Sequence, residues 1–573
     1  MDLITIIKTR KSTDCPCFGS LVSLEHKPPL LASPFHSSSF SSSSITTAFV
    51  MDKTEKFNND TTTDVEMGTG NTEVIESGGL KRDLDSRHIN MIALAGMIGT
   101  GLFLGSGQVI ATAGPAGALL AYTLMGLVTA GVAYTTGEIT AFMPVTGGFI
   151  RHATKFVEPA LGAAAGWNFW YTMAINIPAE ISAAATLIQF WNTSINPGVW
   201  ITIFLVFIIA VNLCGVRLYG ETEVVFASLK IMLILGLIIG GLVIDLGGAP
   251  NHERLGFRYW VHPGAFNTYI KDGSTGRFLA FWKAMLPAAF SYGNIQVVAI
   301  SGSETRNPRK IIPAATKKTF FRIFLFYFCS IFVVGLIVPF NDPALSVSTG
   351  TAQQSPFVIA FQRSGVSAVP SIINAVVCTS AISSGSACVF IASRTLFGLS
   401  VDGHAPKLFQ RCNKHGTPYY AVAMSCLLSP LVYLTVVNNT SVVFSWFLNI
   451  TTVAGLIGWA VILVTYLRFY AGLTKQGYSR TELPYKSPLQ PYVSWATLIM
   501  VCLVILFSGF NIFIKGNFTA EGFITCYINI AIFTVLYLFF KFRLKSKVIP
   551  YLEMPLKDEF RSIREERQVE AER

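Results

Sequence analysis

Gly96-Met97-Ile98-Gly99-Thr100-Gly101-Leu102-Phe103-Leu104-Gly105-Ser106-Gly107 lies inside an apolar stretch, residues 89–111, that is long enough to cross a bilayer. Five of these twelve residues are glycine, and each costs a helix about 0.5–1 kcal/mol relative to alanine. The stretch therefore predicts a membrane helix interrupted by an unwound turn. Bare backbone N–H and C=O groups at that depth persist only beside a cavity or within protein. A second apolar segment, 280–301, is interrupted by Pro287 and then Phe290-Ser291-Tyr292-Gly293-Asn294. Small residues also mark helix-packing faces, but two interrupted helices five spans apart point to a solute-binding site between them.

Working outward, the chain of 573 residues is 51% hydrophobic and 13% charged, with 44 phenylalanines. An average soluble domain is about 25% charged, so this is a polytopic membrane protein. Long apolar runs fall at 89–111, 116–141, 163–191, 198–215, 223–246, 280–301, 319–340, 367–393, 419–437, 442–467, 490–514 and 519–541, each able to cross a core roughly 30 Å thick. The expected fold is an all-α membrane protein of twelve transmembrane helices, helices 1 and 6 broken. Loop lysines and arginines concentrate after even-numbered spans, most densely from Arg306 to Arg322, which places both termini in the cytoplasm. The net charge of +11 is mainly this inside bias and gives no reason to expect nucleic-acid binding.

Three parts follow: a disordered cytoplasmic tail 1–85, a twelve-span domain 86–545, and a charged cytoplasmic tail 546–573. The first tail is rich in Ser, Thr and Asn, with a serine run from Ser37 to Ser44. Lys53, Lys56 and Lys81 there are candidate acceptors for ubiquitin ligase machinery, or else solvated linker lysines. Lys557 to Arg573 reads as a solvated helix. The ten cysteines lie in spans, at cytoplasmic ends or in Cys15-Pro-Cys17, none in an expected outside loop, so they read as small packing residues. Metal-ligand spacing and a phosphate-cradling loop are both absent from the sequence. No metal or cofactor is expected, and no nucleophile, base and oxyanion set marks an enzyme. An ion gradient, or the substrate gradient alone, remains as the energy source.

A charge at membrane depth costs at least about 2.5–3.5 kcal/mol, so each such group is a functional candidate. Glu180 lies mid-span among small residues after Pro178, a site suited to a cycling proton or to a fixed ion pair. Lys230 sits in Phe226-Ala-Ser-Leu-Lys-Ile-Met-Leu, where an ammonium can replace a coupling cation or snorkel to the interface. Glu138 and Glu304, at the inner ends of spans 2 and 6, read as structural ion-pair partners.

These residues occur in a recognisable company: Ile98-Gly-Thr-Gly-Leu-Phe, Gly137-Glu138, Pro144-Val-Thr-Gly-Gly-Phe149, Glu304-Thr-Arg-Asn-Pro-Arg309 with Ile312-Pro313-Ala314, and Ser393-Arg394-Thr-Leu-Phe397. On them the chain resembles the fungal amino acid permease family of the amino acid/polyamine/organocation superfamily, from about residue 80 to 550. The resemblance implies a five-plus-five inverted repeat with two trailing helices. It also implies proton-coupled uptake of L-amino acids at the plasma membrane, among membrane lipids. By position, the substrate carboxylate would meet backbone N–H groups at Gly99, Thr100 and Gly101, as suits the N-terminus of a half-helix. The ammonium would meet carbonyls near Ile98, Phe290, Ser291 and Gly293. Lys230 falls where relatives place a lysine at a sodium position of sodium-coupled cousins, and Glu180 matches an acidic position facing the side-chain pocket. Ala184, Ser383, Ser384, Thr451 and Thr452 are the resemblance's candidates for that pocket.

One departure matters. The family's span 6 pattern has a glycine and a glutamate where this chain has Asn294 and Gln296. The loss of that carboxylate leaves Glu180 as the acidic candidate and disfavours a dedicated lysine/arginine permease. A neutral or broad range is favoured, with acidic amino acids or proline as the alternative. The segment Gly247 to Trp260 is similar to the proline and dicarboxylic subgroups. A sensor that binds amino acids and transports little is the competing function.

Overall fold

From Gly99 onward the glycine run does not unwind into a loop. In the computed structural model, residues 99–571 are described apart from 193, 298–307, 346–354, 367, 415 and 439. The chain bends at Gly99 and enters a π-helical turn, Gly101–Gly105, that passes directly into α1, Ser106–Phe142. A π turn widens the helix by one residue and keeps its backbone bonds, so this part of the interruption costs less than the expected unwound turn. Ile98 and Glu304 lie outside the described residues.

α1 contains two rods. Gly114, at φ 74 and ψ 171, and then Pro115 break it, so residues up to Ala113 complete the first expected span and Pro115 opens the second. A side chain at Gly114 would be strained by that φ and blocked as well, its Cβ falling 2.8 Å from Asn267 N and 2.9 Å from the Ala265 carbonyl oxygen. The loop after span 5 clamps this joint. Ala116 N–H donates to Ala265 C=O at 2.9 Å, and Asn267 N–H donates to Ala113 C=O at 3.1 Å.

The remaining helices are α2 (Phe149–Phe156), α3 (Pro159–Ile188), α4 (Pro197–Leu213), α5 (Val216–Asp245), α6 (Gly273–Ser291), α7 (Pro308–Ile337), α8 (Pro356–Arg363) and α9 (Val369–Val401). α10 (Tyr419–Ser425) continues through a 3-10 stretch, Cys426–Tyr433, into α11 (Leu434–Val437). α12 (Thr440–Lys475), α13 (Tyr492–Leu506), α14 (Ala520–Leu544) and α15 (Leu556–Ala571) complete the chain. Among the described residues regular structure is entirely helical. Seven described helical stretches are long and apolar enough to cross a membrane: 101–142, 218–245, 320–337, 369–401, 419–437, 442–475 and 520–544. α4 and α13 are apolar but shorter.

α3 departs from the apolar pattern for a physical reason. It carries Asn168, Thr172, Asn176 and Glu180, all buried, because its contacts are with α9 and α12. A helix surrounded by protein can turn polar groups toward its neighbours. α1 packs against α6 and α7, while α5 packs against α7 and α9. The two interruptions thus sit where the group α1, α6 and α7 meets α3, α9 and α12.

At one end of the bundle, Glu138 is fully buried and accepts from Arg480 (2.8 and 3.0 Å) and from Ser487 N–H (2.7 Å), a structural ion pair as its position suggested. α15 differs from the solvated helix expected. Leu556, Phe560 and Ile563 recur at helical spacing and are buried with Phe142, Phe156 and Phe469. Arg309 bonds Glu559 at 2.5 Å and forms an ion pair with Glu566 at 3.1 Å. The charged residues occupy the other face, which is why composition alone reads as solvated.

Candidate functional site

Two glycines of the first interruption, Gly99 and Gly101, line a cavity of about 570 Å³, counting its open part, together with the second interruption. The latter supplies Phe290, Ser291, Gly293, Asn294 and Gln296; α3 adds Thr172, Asn176 and Glu180, and α9 adds Ser384. Thr451, Thr452 and Trp459 of α12 close it.

The two interruptions touch directly. A Cβ on Gly101 would lie 2.8 Å from Ser291 Cα and 3.0 Å from Phe290 Cδ1, so glycine is what permits the approach. Ser291 is held from behind: its hydroxyl shares a hydrogen bond with Tyr122 Oη at 2.9 Å, and its carbonyl accepts from Tyr327 Oη at 2.9 Å. Tyr122, Tyr292 and Tyr327 form a buried ring cluster, Tyr292 and Tyr327 being 4.9 Å apart by centroid. Asn294 adopts φ 69. That is the left-handed region, where asparagine is the usual substitute for glycine, so Asn294 holds the turn without a glycine. Gln296 Oε1 accepts from Trp459 Nε1 at 3.0 Å, which fixes the amide against α12.

Glu180 joins the walls. Its carboxylate accepts from Thr100 Oγ1 at 3.0 Å and from Ser384 Oγ at 2.9 Å, and its Oε1 would lie 3.2 Å from a Cβ on Gly99. Helix 1, α3 and α9 therefore meet at one buried carboxylate. Lys230 sits midway along α5, 1% exposed, and interacts electrostatically with Glu223 and Glu180; its burial excludes snorkelling to water in this structure. Two buried polar atoms lining the cavity have no partner among the described residues: Asn176 Oδ1 and Thr451 Oγ1. They are groups a bound solute can satisfy.

Of the residues singled out by sequence, the structure brings Gly99, Gly101, Phe290, Ser291, Gly293, Asn294, Gln296, Glu180, Ser384, Thr451 and Thr452 to one cavity. Thr100 is spent on Glu180. Two candidates fall elsewhere. Ser383 points away from the cavity and donates to Glu223 at 2.8 Å, because one residue along a helix is a rotation of about 100°. Ala184, one turn beyond Glu180, is fully buried beside Cys378. Glu223, Asn176 and Trp459 were not singled out by sequence. Glu223 was discoverable, since it lies seven residues before Lys230, on the same face of α5.

Interrupted helices meeting at a polar cavity, with a carboxylate buried between three helices, define a helical membrane transporter. The fold is shared with a solved manganese transporter from Eremococcus coleocola, similar with a TM-score of 0.51 at 12% identity, over 86% of this chain and 99% of that one. The amino acid permease family model matches residues 88–551, and the chain belongs to that family, whose members are transporters and not enzymes. Among its relatives is a proline-specific permease of Emericella nidulans, 41% identical over 81% of this chain and 86% of that protein. The dicarboxylic amino acid permease of Saccharomyces cerevisiae is 39% identical over 84% and 80%, and the lysine-specific permease of the same yeast is 39% identical over 83% and 77%.

Proposed function

We propose that this permease is a proton-coupled secondary active transporter of L-amino acids, neutral or broad in range. It works at the plasma membrane with twelve spans, a five-plus-five inverted repeat and both termini in the cytoplasm. Gly99 to Gly101 receive the substrate carboxylate at the start of a half-helix, and carbonyls at Phe290 to Gly293 receive the ammonium. The observation that carries the proposal is the Glu180 carboxylate. It lines the cavity and is bonded to Thr100 within the substrate-facing interruption, so a proton on Glu180 and a solute at Gly99 to Gly101 act on the same turn of chain. Lys230 supplies the fixed cation. A membrane potential contributes about 2.3 kcal/mol per charge per 100 mV, and each pH unit about 1.4 more, enough to concentrate an amino acid tenfold or beyond.

Gln296, an amide in place of a carboxylate, removes an attraction for cationic side chains, and the relatives named for proline and dicarboxylic amino acids are compatible with the narrower alternatives. The test is uptake of a labelled mixture of the twenty L-amino acids by cells lacking their own permeases, at pH 5 and pH 7, with each unlabelled amino acid as competitor. Accumulation stimulated by acid is expected, and Glu180→Gln should abolish the stimulation while substrate still binds. Binding without accumulation at either pH would favour a sensor.

A further inference from the structure

One buried ionisable group has no task in that scheme. Glu223 lies on α5, 1% exposed, seven residues before Lys230. Seven residues are nearly two helical turns, so both side chains leave α5 on one face. A helical side chain leans toward the N-terminus, which carries the Lys230 ammonium back toward Glu223. Opposite them on α9, two consecutive hydroxyls part company: Ser383 donates to Glu223 Oε1 at 2.8 Å and Ser384 donates to Glu180 Oε1 at 2.9 Å. Lys230 interacts with both carboxylates. Glu180 lines the cavity and Glu223 does not.

We propose, building on the proton-coupled reading of the site, that Glu223 is a positioning residue for coupling: it takes the Lys230 ammonium as counter-ion whenever Glu180 is protonated. With both carboxylates ionised the three groups sum to one negative charge. A proton added to one Glu180 oxygen from the cavity side makes the cluster neutral, with Glu223 and Lys230 left as a pair; no bond within the chain breaks. Without Glu223 the balance inverts. Ionised Glu180 and Lys230 would already be neutral, and a proton on Glu180 would strand a buried ammonium, a state far costlier than a pair. Glu223 is thus what makes a proton welcome at Glu180.

Other titratable groups act on this corner: Tyr327 on α7 and Cys388 on α9 interact with Glu180, and Cys388 also with Lys230. Tyr219, one turn earlier on α5, and Cys388 on α9 interact with Glu223, and Arg394 on α9 interacts with Tyr219. α5 also packs against α4, α7 and α8, and among the described residues the groups acting on Glu223 come from α5 and α9.

The experiment compares wild type, Glu223→Gln and Glu223→Asp in permease-deficient cells with the labelled twenty-amino-acid mixture. Uptake is measured from pH 4.5 to 7.5, together with exchange of preloaded label against external unlabelled mixture, normalised to surface protein. In Glu223→Gln the acid stimulation should move by about one pH unit or more toward acid, with exchange retained to a larger fraction than accumulation; Glu223→Asp should restore the wild-type profile. A Glu223→Gln profile superimposable on a pH-dependent wild type overturns the assignment of Glu223 alone. Accumulation and exchange falling in equal proportion, without rescue by aspartate, also overturns it, since that is the signature of a packing role. A wild type without pH dependence overturns the proton-coupled reading and this proposal with it.

Discussion

Substitution of Gly101 by alanine probes the contact on which the site depends. The added Cβ would lie 2.8 Å from Ser291 Cα, 2.9 Å from Ser291 Oγ and 3.0 Å from Phe290 Cδ1. Carbon atoms settle at about 3.5–4.0 Å, so the two interruptions must part by about 0.7 Å or more. Ser291 cannot simply retreat, because Tyr122 and Tyr327 hold its hydroxyl and its carbonyl, each at 2.9 Å. Forced overpacking costs about 1–3 kcal/mol. Expressed in the substrate-bound state, that is a rise in KM of about 5- to 150-fold. Gly105→Ala is the matched control: it sits in the same π turn, and a Cβ there meets nothing within 4 Å. KM for uptake and melting temperature in detergent would be measured for both variants. If Gly101→Ala and Gly105→Ala prove indistinguishable, the close approach of the two helices is not what shapes the site.

Gln296→Glu should admit cationic substrates, because it places a carboxylate beside the cavity with Trp459 Nε1 already positioned to donate to it. New competition by lysine and arginine would be seen, and its absence would detach Gln296 from selectivity. Arg480→Ala should destabilise the protein by about 3 kcal/mol, since it leaves the buried Glu138 carboxylate with Ser487 as partner but no counter-ion; thermal unfolding in detergent checks this. His152 should make stability fall in acid. It is buried, its Nε2 donates to Met143 C=O at 2.8 Å, its Nδ1 has no partner among the described residues, and burial holds its pKa down at about 4. The folded protein therefore resists a proton that the unfolded chain accepts below about 6.5. The stabilisation is complete above that pH and declines toward pH 4, by about 2 kcal/mol at pH 5. Melting temperatures at pH 7.5 and 5 should differ less in His152→Gln, and an equal difference would remove His152 as the cause.

Much of this was legible in the residues. Glycine and proline within apolar runs marked both interruptions because a packing face, the other use of small residues in a membrane helix, does not call for a proline and a polar turn five spans away. Glu180 was legible because a lone charge among apolar neighbours is conspicuous. Glu223 was masked though discoverable: Gly220-Glu-Thr-Glu looks like the polar end of a span, and the seven-residue spacing to Lys230 carries weight once the helix is seen to run from Val216. Trp459 sits in an apolar run where a tryptophan is unremarked, and its partner Gln296 is 163 residues away. The choice between Ser383 and Ser384 turned on the rotation of α9, which fixes one hydroxyl toward each carboxylate. The docking of α15 was written in the spacing of Leu556, Phe560 and Ile563, but the charges between them dominate any average.

The tail bears on how such a protein tolerates change. Between α14 and α15 the chain returns to earlier parts of the sequence: Ile549 N–H bonds Val157 C=O at 2.9 Å, Arg468 bonds Ile549 C=O at 2.7 Å, and Gln476 bonds Tyr551 C=O at 2.7 Å. Phe560 then stacks on Tyr478. Residues that look like an expendable trailer are therefore a fastening, tying residues 549–563 onto the middle of the chain. Evolutionary drift there should be striped, free at Arg561 and Glu565 and constrained at Leu556, Phe560 and Ile563. Trimming the tail would leave a greasy scar on the bundle for quality control to find.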